Sequence, residues 1–272
     1  MNRAQIRLRI FLVIFIIVMV LGTLGFMTFE NTSFSDALYF SIVTVSTVGY
    51  GDIHPATAGG KALAVFLIIM GVGTFLGIIA ESTEVFLNRR EARVRHQKIN
   101  MVIGAFFSEV GMALLAIFAR SDPDLEKIRA DLIVTTQWNP GDFQRVRGRL
   151  GDYSYALDIE QVDMENLRDF LAAKREFMVR LLENPVLLED ESFTELLRAV
   201  FHATEELSYR RDIAELPRND RLHLAGDLKR VYRHIVFQWF DYMKYLKDNY
   251  PYLFSLAMRT NPFDRASSPV IS

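Results

Sequence analysis

The chain has 272 residues, 50 % of them hydrophobic, and a formal net charge of −2. That balance lacks the basic excess with which a protein binds nucleic acid. The chain contains no cysteine, which excludes disulfides and thiolate metal centres.

From Ile10 to Phe29 there is no charged residue, and the run matches the ~20 residues that a bilayer-crossing helix needs. A secretory signal has a shorter apolar core and ends in a small-residue cleavage site. Here Gly22-Thr23-Leu24-Gly25 lies inside the run, so a retained span is predicted. Ala62 to Ala80 forms a second apolar run. Arg3, Arg7 and Arg9 precede the first run, and Arg89, Arg90, Arg93, Arg95 and Lys98 follow the second. Between Phe29 and Gly60 there is no lysine or arginine. Basic residues stay on the cytoplasmic side, so both termini are predicted to be cytoplasmic and the intervening loop external.

Within that loop, Ser33 or Ser35 can cap a helix running to about Ser46, rich in apolar and aromatic residues. Thr47-Val48-Gly49-Tyr50-Gly51-Asp52 follows. A potassium ion leaves water only where rings of backbone carbonyls replace its hydration shell. A segment that turns successive carbonyls inward needs residues tolerant of positive φ, and Gly49 and Gly51 supply them.

This hexapeptide, between two apolar runs, resembles the selectivity filter of the two-transmembrane-helix bacterial potassium channels. The resemblance covers residues of about 5–90 and implies a re-entrant pore helix within a pore domain in the cell (inner) membrane. It implies K+ ions held by Thr47, Val48, Gly49, Tyr50 and Gly51, supported by Tyr39, Phe40 and Asp52. Val43 stands where some members of that family carry a glutamate. One chain supplies one filter strand, so a homotetramer in the lipid bilayer is expected. Gly71 matches the hinge glycine of the inner helix, with close helix packing as the competing role. Gly71-Val72-Gly73-Thr74-Phe75-Leu76-Gly77 is not a dinucleotide loop, because it lies inside an apolar helix and its spacing differs. Glu81 and Glu84 fall at the inner mouth, either as acidic rings or paired with Arg89 or Arg90.

The domains are read as a pore at 1–90, a basic linker at 91–98 and a helical cytoplasmic domain at 99–272. Ile99 to Ala119 is apolar apart from Glu109. It is read as a buried or interfacial helix rather than a third span, given the five basic residues before it. Helices are then predicted over Asp124 to about Val134, from an Asp142 cap to about Leu150, and over Met164 to Leu182 behind an Asp163 cap. Thr135 to Trp138 offers a short strand with no evident partner. A capping box at Ser192-Phe193-Thr194-Glu195 opens a helix to about Asp212. A long aromatic helix spans Arg221 to Lys247, and a short one after Pro251 reaches Met258. The tail from Asn261 is loose or docked. The fold class is therefore all-α.

No Gly-x-Gly-x-x-Gly follows a strand, and no phosphate loop or calcium helix-loop-helix motif is present. The nucleotide-fold gating domain common on such pores is thus not expected. One constellation in the helical domain can carry chemistry. His202 and Glu205 or Glu206 lie one turn apart, as do His223 and Asp227, with His234 three turns beyond His223. Helical bundles build divalent or di-metal sites from such pairs on facing helices, and Glu109 would suit an inward carboxylate. The order His-Ala-Thr-Glu departs from the Glu-x-x-His of those bundles, and a solvated, ion-paired surface is the competing reading. The expected function is passive K+ conduction without enzymatic activity, gated by the inner helix and modulated by the helical domain. The alternatives are a weakly selective cation channel, or a pore coupled to a metal-binding helical sensor or enzyme domain. No nucleic-acid partner is expected, and the gating ligand is unknown.

Overall fold

The computed structural model describes residues 3–270 and divides into two compact units, Met1–Val94 and Arg95–Ser272. Among the described residues every regular element is helical. The first unit contains α1 (Arg3–Glu30), α2 (Phe34–Val45), α3 (Ala58–Phe66), a π turn at Leu67–Val72 and the first part of α4 (Gly73–Phe106). Helix α1, and the helical run that starts at Ala58, are long and apolar enough to cross a membrane.

Lipid removes the hydrophobic drive between spanning helices, so close backbone approach must hold them together. Gly22 and Gly25 provide it, since a Cβ at those positions would meet Leu67 at 2.5 Å and Leu63 at 2.9 Å. Val18, Phe26, Ala37, Phe40, Val45 and Leu67 form the small core of this unit. Phe26 stacks on Phe40 with ring centroids 4.0 Å apart. Ile10, Val13, Ile17 and Val20 face outward, as lipid-facing side chains do.

The second unit follows a π turn at Phe107–Gly111. It comprises α5 (Met112–Ser121), α6 (Pro140–Asp152), α7 (Met164–Leu182), α8 (Glu191–Ser208), α9 (Arg218–Asn249) and α10 (Pro251–Arg259), with the end of α4. Helix α9 is central and packs on α5, α6, α8 and α10. It buries Leu224, Leu228, Val231, Ile235, Trp239 and Met243, a three-to-four-residue spacing that places them on one face. Ile99, Ile103, Phe106, Val110, Leu114 and Phe118 join the same core, so the apolar run Ile99 to Ala119 is a buried helix.

Several expected boundaries differ from the structure. Asp124 to Val134 forms two 3₁₀ turns, Leu125–Lys127 and Arg129–Leu132, instead of a helix. Asp122 Oδ1 accepts the Asp124 N–H at 2.9 Å, a local alternative to helical pairing. The Asn261 amide donates to the Leu132 carbonyl at 2.9 Å, fixing this segment to the C-terminal tail. That tail is docked, with Phe263 fully buried against Trp239. Asn139, not Asp142, caps α6, and Asp142 returns the reciprocal bond of a capping box. Asp190 caps α8, whose start precedes the expected box at Ser192, and α8 ends at Ser208. Thr135 to Trp138 is a turn closed by the Trp138 N–H on the Thr135 carbonyl at 3.3 Å. Glu109 does not point inward: it is half-exposed and bonds Lys174 at 2.7 Å.

A polar knot lies inside this apolar body. Asp122 is 7 % exposed and accepts hydrogen bonds from Tyr153 at 2.7 Å and Tyr232 at 3.0 Å. Burial pushes the phenols of Tyr153, Tyr155 and Tyr232 above their ordinary value. Burial likewise pushes Tyr245 up to about 12 from an ordinary 10.0. A phenol with a raised folded-state pKa stays protonated after the unfolded chain has lost that proton, so stability falls as pH rises. These phenols are therefore expected to leave the urea midpoint of the second unit unchanged from neutral pH to 10.0 and to lower it between there and about 12. A midpoint unchanged across that window in tryptophan fluorescence would refute the burial of these phenols.

Candidate ion pathway

Helix α2 is started by Ser33, whose hydroxyl oxygen accepts the Asp36 N–H at 3.2 Å. At its other end the chain folds back on the helix. The Thr47 N–H donates to the Thr44 carbonyl at 3.1 Å, and those of Val48 and Gly49 donate to Val43 at 3.1 and 3.2 Å. Three N–H groups of the following segment thus occupy carbonyls that a helix C-terminus leaves open. Positive φ recurs at every second residue: Thr47 at 61°, Gly49 at 55° and Gly51 at 79°. Such alternation of backbone hand lets successive carbonyls share a side, instead of alternating as in a strand. Among the described residues, no N–H or side-chain donor bonds the carbonyls of Thr47, Val48, Gly49 or Tyr50. For a β-branched residue a positive φ is strained by roughly 1–3 kcal/mol, so Thr47 is held there by its surroundings. Glycine-based reasoning from the sequence marked Gly49 and Gly51 but not Thr47.

The Tyr39 hydroxyl donates to Asp52 Oδ2 at 2.8 Å, tying the far end of the segment to α2. Phe40 does not join it, being buried against Phe26 of α1. Val48 and Tyr50 project from the single chain, 51 % and 72 % exposed. Glu30, absent from the sequence-level candidates, closes the loop after Asp52. It accepts the N–H groups of Ala56 and Thr57 at 3.2 and 3.0 Å and the Thr57 hydroxyl at 2.8 Å. Thr57 in turn caps α3 by accepting the Gly60 N–H at 2.9 Å. The only sequence signal for this clamp was a lone acid at the end of an apolar run.

Gly71 lies in the π turn and is in close contact, since a Cβ there would meet Val45 Cγ2 of α2 at 2.4 Å. A π turn leaves carbonyls poorly paired. The Thr74 hydroxyl supplies a donor near the Met70 and Gly71 carbonyls, at 2.8 and 3.0 Å. Glu81 and Glu84 pair with Arg7 of α1 at 3.1 and 2.8 Å, rather than with Arg89 or Arg90. An intrahelical pair needs a spacing of three or four residues, which neither Glu81 nor Glu84 has to Arg89 or Arg90, whereas Arg7 lies across the helix interface.

In the second unit, His202 and Glu206 on α8 do converge with His223 and Asp227 on α9. Ligand atoms of Glu206, His223 and Asp227 lie within 4.8 Å of one another. His202 Nε2 stands 3.5 Å from Asp227 Oδ2. His234 lies elsewhere, lining a cleft with Arg147, Lys229 and Arg233. Burial lowers its tendency to hold a proton.

Comparison with known proteins separates the same two regions. The family described as "Ion channel" matches residues 13–88, and that described as "Uncharacterized protein MJ1433, C-terminal helical domain" matches residues 95–259. The uncharacterized protein MJ1433 of Methanocaldococcus jannaschii is 45 % identical over 184 residues, 68 % of this chain and 74 % of that protein. The calcium-activated potassium channel slo-1 of Caenorhabditis elegans is 34 % identical over 83 residues, 29 % of this chain and 7 % of that channel. The calcium-gated potassium channel TvoK of Thermoplasma volcanium is 31 % identical over 85 residues, 29 % of this chain and 24 % of that channel. These channels are thus matched over a quarter of their length or less. No solved structure matches the chain. The chain belongs to the MJ1433 family and joins that family's helical C-terminal domain to a two-span potassium-channel pore.

Proposed function

We propose that four copies assemble around a central axis and conduct K+ passively through carbonyl rings of residues 47 to 51. The observation that carries this reading is the return of three N–H groups from residues 47–49 to the end of α2, with unpaired carbonyls beside them. A single chain leaves Val48 and Tyr50 exposed, and neighbouring copies would cover them. The negative end of the α2 dipole would then stabilise a cation at the inner end of the filter. Tyr39 and Asp52 support the filter from outside. The protein lies in the cell membrane with both termini in the cytoplasm, as its basic residues suggest.

The inner helix opens and closes near Gly71, with Glu81 and Glu84 at the inner mouth. The helical domain at 99–272, after a basic linker at 91–98, modulates that gate. Any ligand that acts there does so through unequal affinity for the open and closed states.

The test is the reversal potential of the purified protein in a planar bilayer, with potassium on one side and sodium on the other. We expect a reversal close to the potassium equilibrium potential, and a native mass of four chains. A reversal near zero would replace this reading with that of a weakly selective cation channel.

A further inference from the structure

The cluster between α8 and α9 contains a buried oxygen that no hydrogen bond satisfies. Asp227 is 4 % exposed, and its Oδ2 has no hydrogen-bond partner. Its other oxygen is taken, since Arg230 pairs with Oδ1 at 3.2 Å. A buried carboxylate oxygen without a partner is costly. Yet two imidazole nitrogens face it, His223 Nε2 at 3.4 Å and His202 Nε2 at 3.5 Å, and neither forms a hydrogen bond to it. His223 Nε2 also faces Glu206 Oε2 at 3.6 Å.

We infer that Glu206, His223 and Asp227 hold a divalent transition-metal ion, zinc by chemical class, with the His202 imidazole beside Asp227. The three nitrogen-to-oxygen separations of 3.4, 3.5 and 3.6 Å favour this, and the ligand atoms of Glu206, His223 and Asp227 all lie within 4.8 Å of one another. Tetrahedral zinc binds nitrogen and oxygen at roughly 2.0–2.2 Å, which sets donors about 3.3–3.6 Å apart. The donor chemistry agrees, because imidazole nitrogen with carboxylate oxygen selects zinc and its neighbours over calcium and magnesium, which prefer oxygen alone. Both carboxylates are also oriented by arginines, as ligands are by the outer contacts of metal sites. Arg230 holds Asp227 by its other oxygen, Oδ1, while Arg210 donates to Glu206 Oε2, the oxygen that faces His223, at 2.7 Å and is itself held by both oxygens of Asp220 at 2.7 Å. His223 and His202 are about half-exposed, which gives an ion a route from solvent. The site joins two helices, so an ion there would brace the α8–α9 packing. This inference stands apart from the pore reading, and its test reads metal binding rather than conduction.

The experiment uses the full-length protein in detergent, dialysed against chelator and titrated with zinc in competition with a chromophoric chelator. We expect one zinc per chain and an upward shift of the melting temperature on saturation, as for any ligand that binds only the folded state. Asp227→Asn and His223→Gln should each weaken binding by about tenfold or more. The control His96→Gln, outside the cluster, should bind as the parent does. Circular dichroism checks that each variant is folded, and the half-exposed His223 keeps the test valid if Asp227→Asn is not. No stoichiometric zinc, or zinc binding unchanged in the folded variants, would overturn the inference and leave protonated-histidine ion pairs in its place. Tighter binding of calcium than of zinc would overturn it equally.

Discussion

Gly49→Ala is expected to abolish potassium-selective current while leaving the protein assembled in the membrane. Nothing lies within 4 Å of the position a Cβ would take at Gly49, so the added methyl meets no neighbour within its own chain. The effect comes from the backbone. Gly49 sits at φ 55°, where a Cβ crowds the following carbonyl and costs roughly 1–2 kcal/mol. The chain relieves that strain by returning to negative φ, and the peptide units on either side swing with it. A carbonyl in a filter has no tolerance for such a swing, because it replaces a hydration shell. In the proposed tetramer four copies would multiply the cost. The measurement is bilayer conductance and reversal potential under potassium and sodium gradients, with size-exclusion chromatography to establish assembly. Intact potassium selectivity in the variant would refute the filter assignment.

Asp122→Ala should cost the helical domain about 3–5 kcal/mol, a large share of the ~5–15 kcal/mol that holds a domain together. Tyr153 and Tyr232 lose a charged acceptor, and Asp124 loses the bond that turns the chain after α5. Tyr232 is 0 % exposed, so its hydroxyl cannot turn to water. The cost of burying a donor unsatisfied then adds to that of the lost bond. Both tryptophans, Trp138 and Trp239, lie in this unit, and their fluorescence during urea unfolding reports on it alone. A loss under about 1 kcal/mol would mean that ordered water takes the place of the carboxylate.

The positive φ of Gly49 and Gly51 was legible in the sequence because its requirement is local: glycine adopts that conformation at no steric cost. The same holds for the Asp163 cap of α7, which appears where the sequence places it. What escaped was mostly long-range. Glu30 and Thr57 are 27 residues apart, and Arg7 and Glu84 are 77, so no periodicity links them. Glu109 misled for a related reason: it is the lone acid of an apolar helix, but it stands where Lys174 of α7 can reach it. The caps of α6 and α8 were displaced by three and two residues because each start offers several capable side chains. At α8, Ser192 does contribute, by donating to the Asp190 carboxylate at 2.7 Å. The four residues of the α8–α9 cluster could be paired along each helix from their spacing. That the two pairs face one another, around a buried oxygen with no partner, depends on how the helices dock.

The π turn at Leu67–Val72 would give the proposed gate a second coordinate besides bending. A π turn holds one residue more than the α-helix around it. If that residue is absorbed into regular turns, everything beyond it screws by about 100° and travels by about 1.5 Å. Glu81 and Glu84 would then exchange one outlook for another while the helix stayed straight. The Thr74 hydroxyl, which serves two successive carbonyls, can follow such a slip by passing from one to the other. A pore lined this way would be shut by a twist as readily as by a kink.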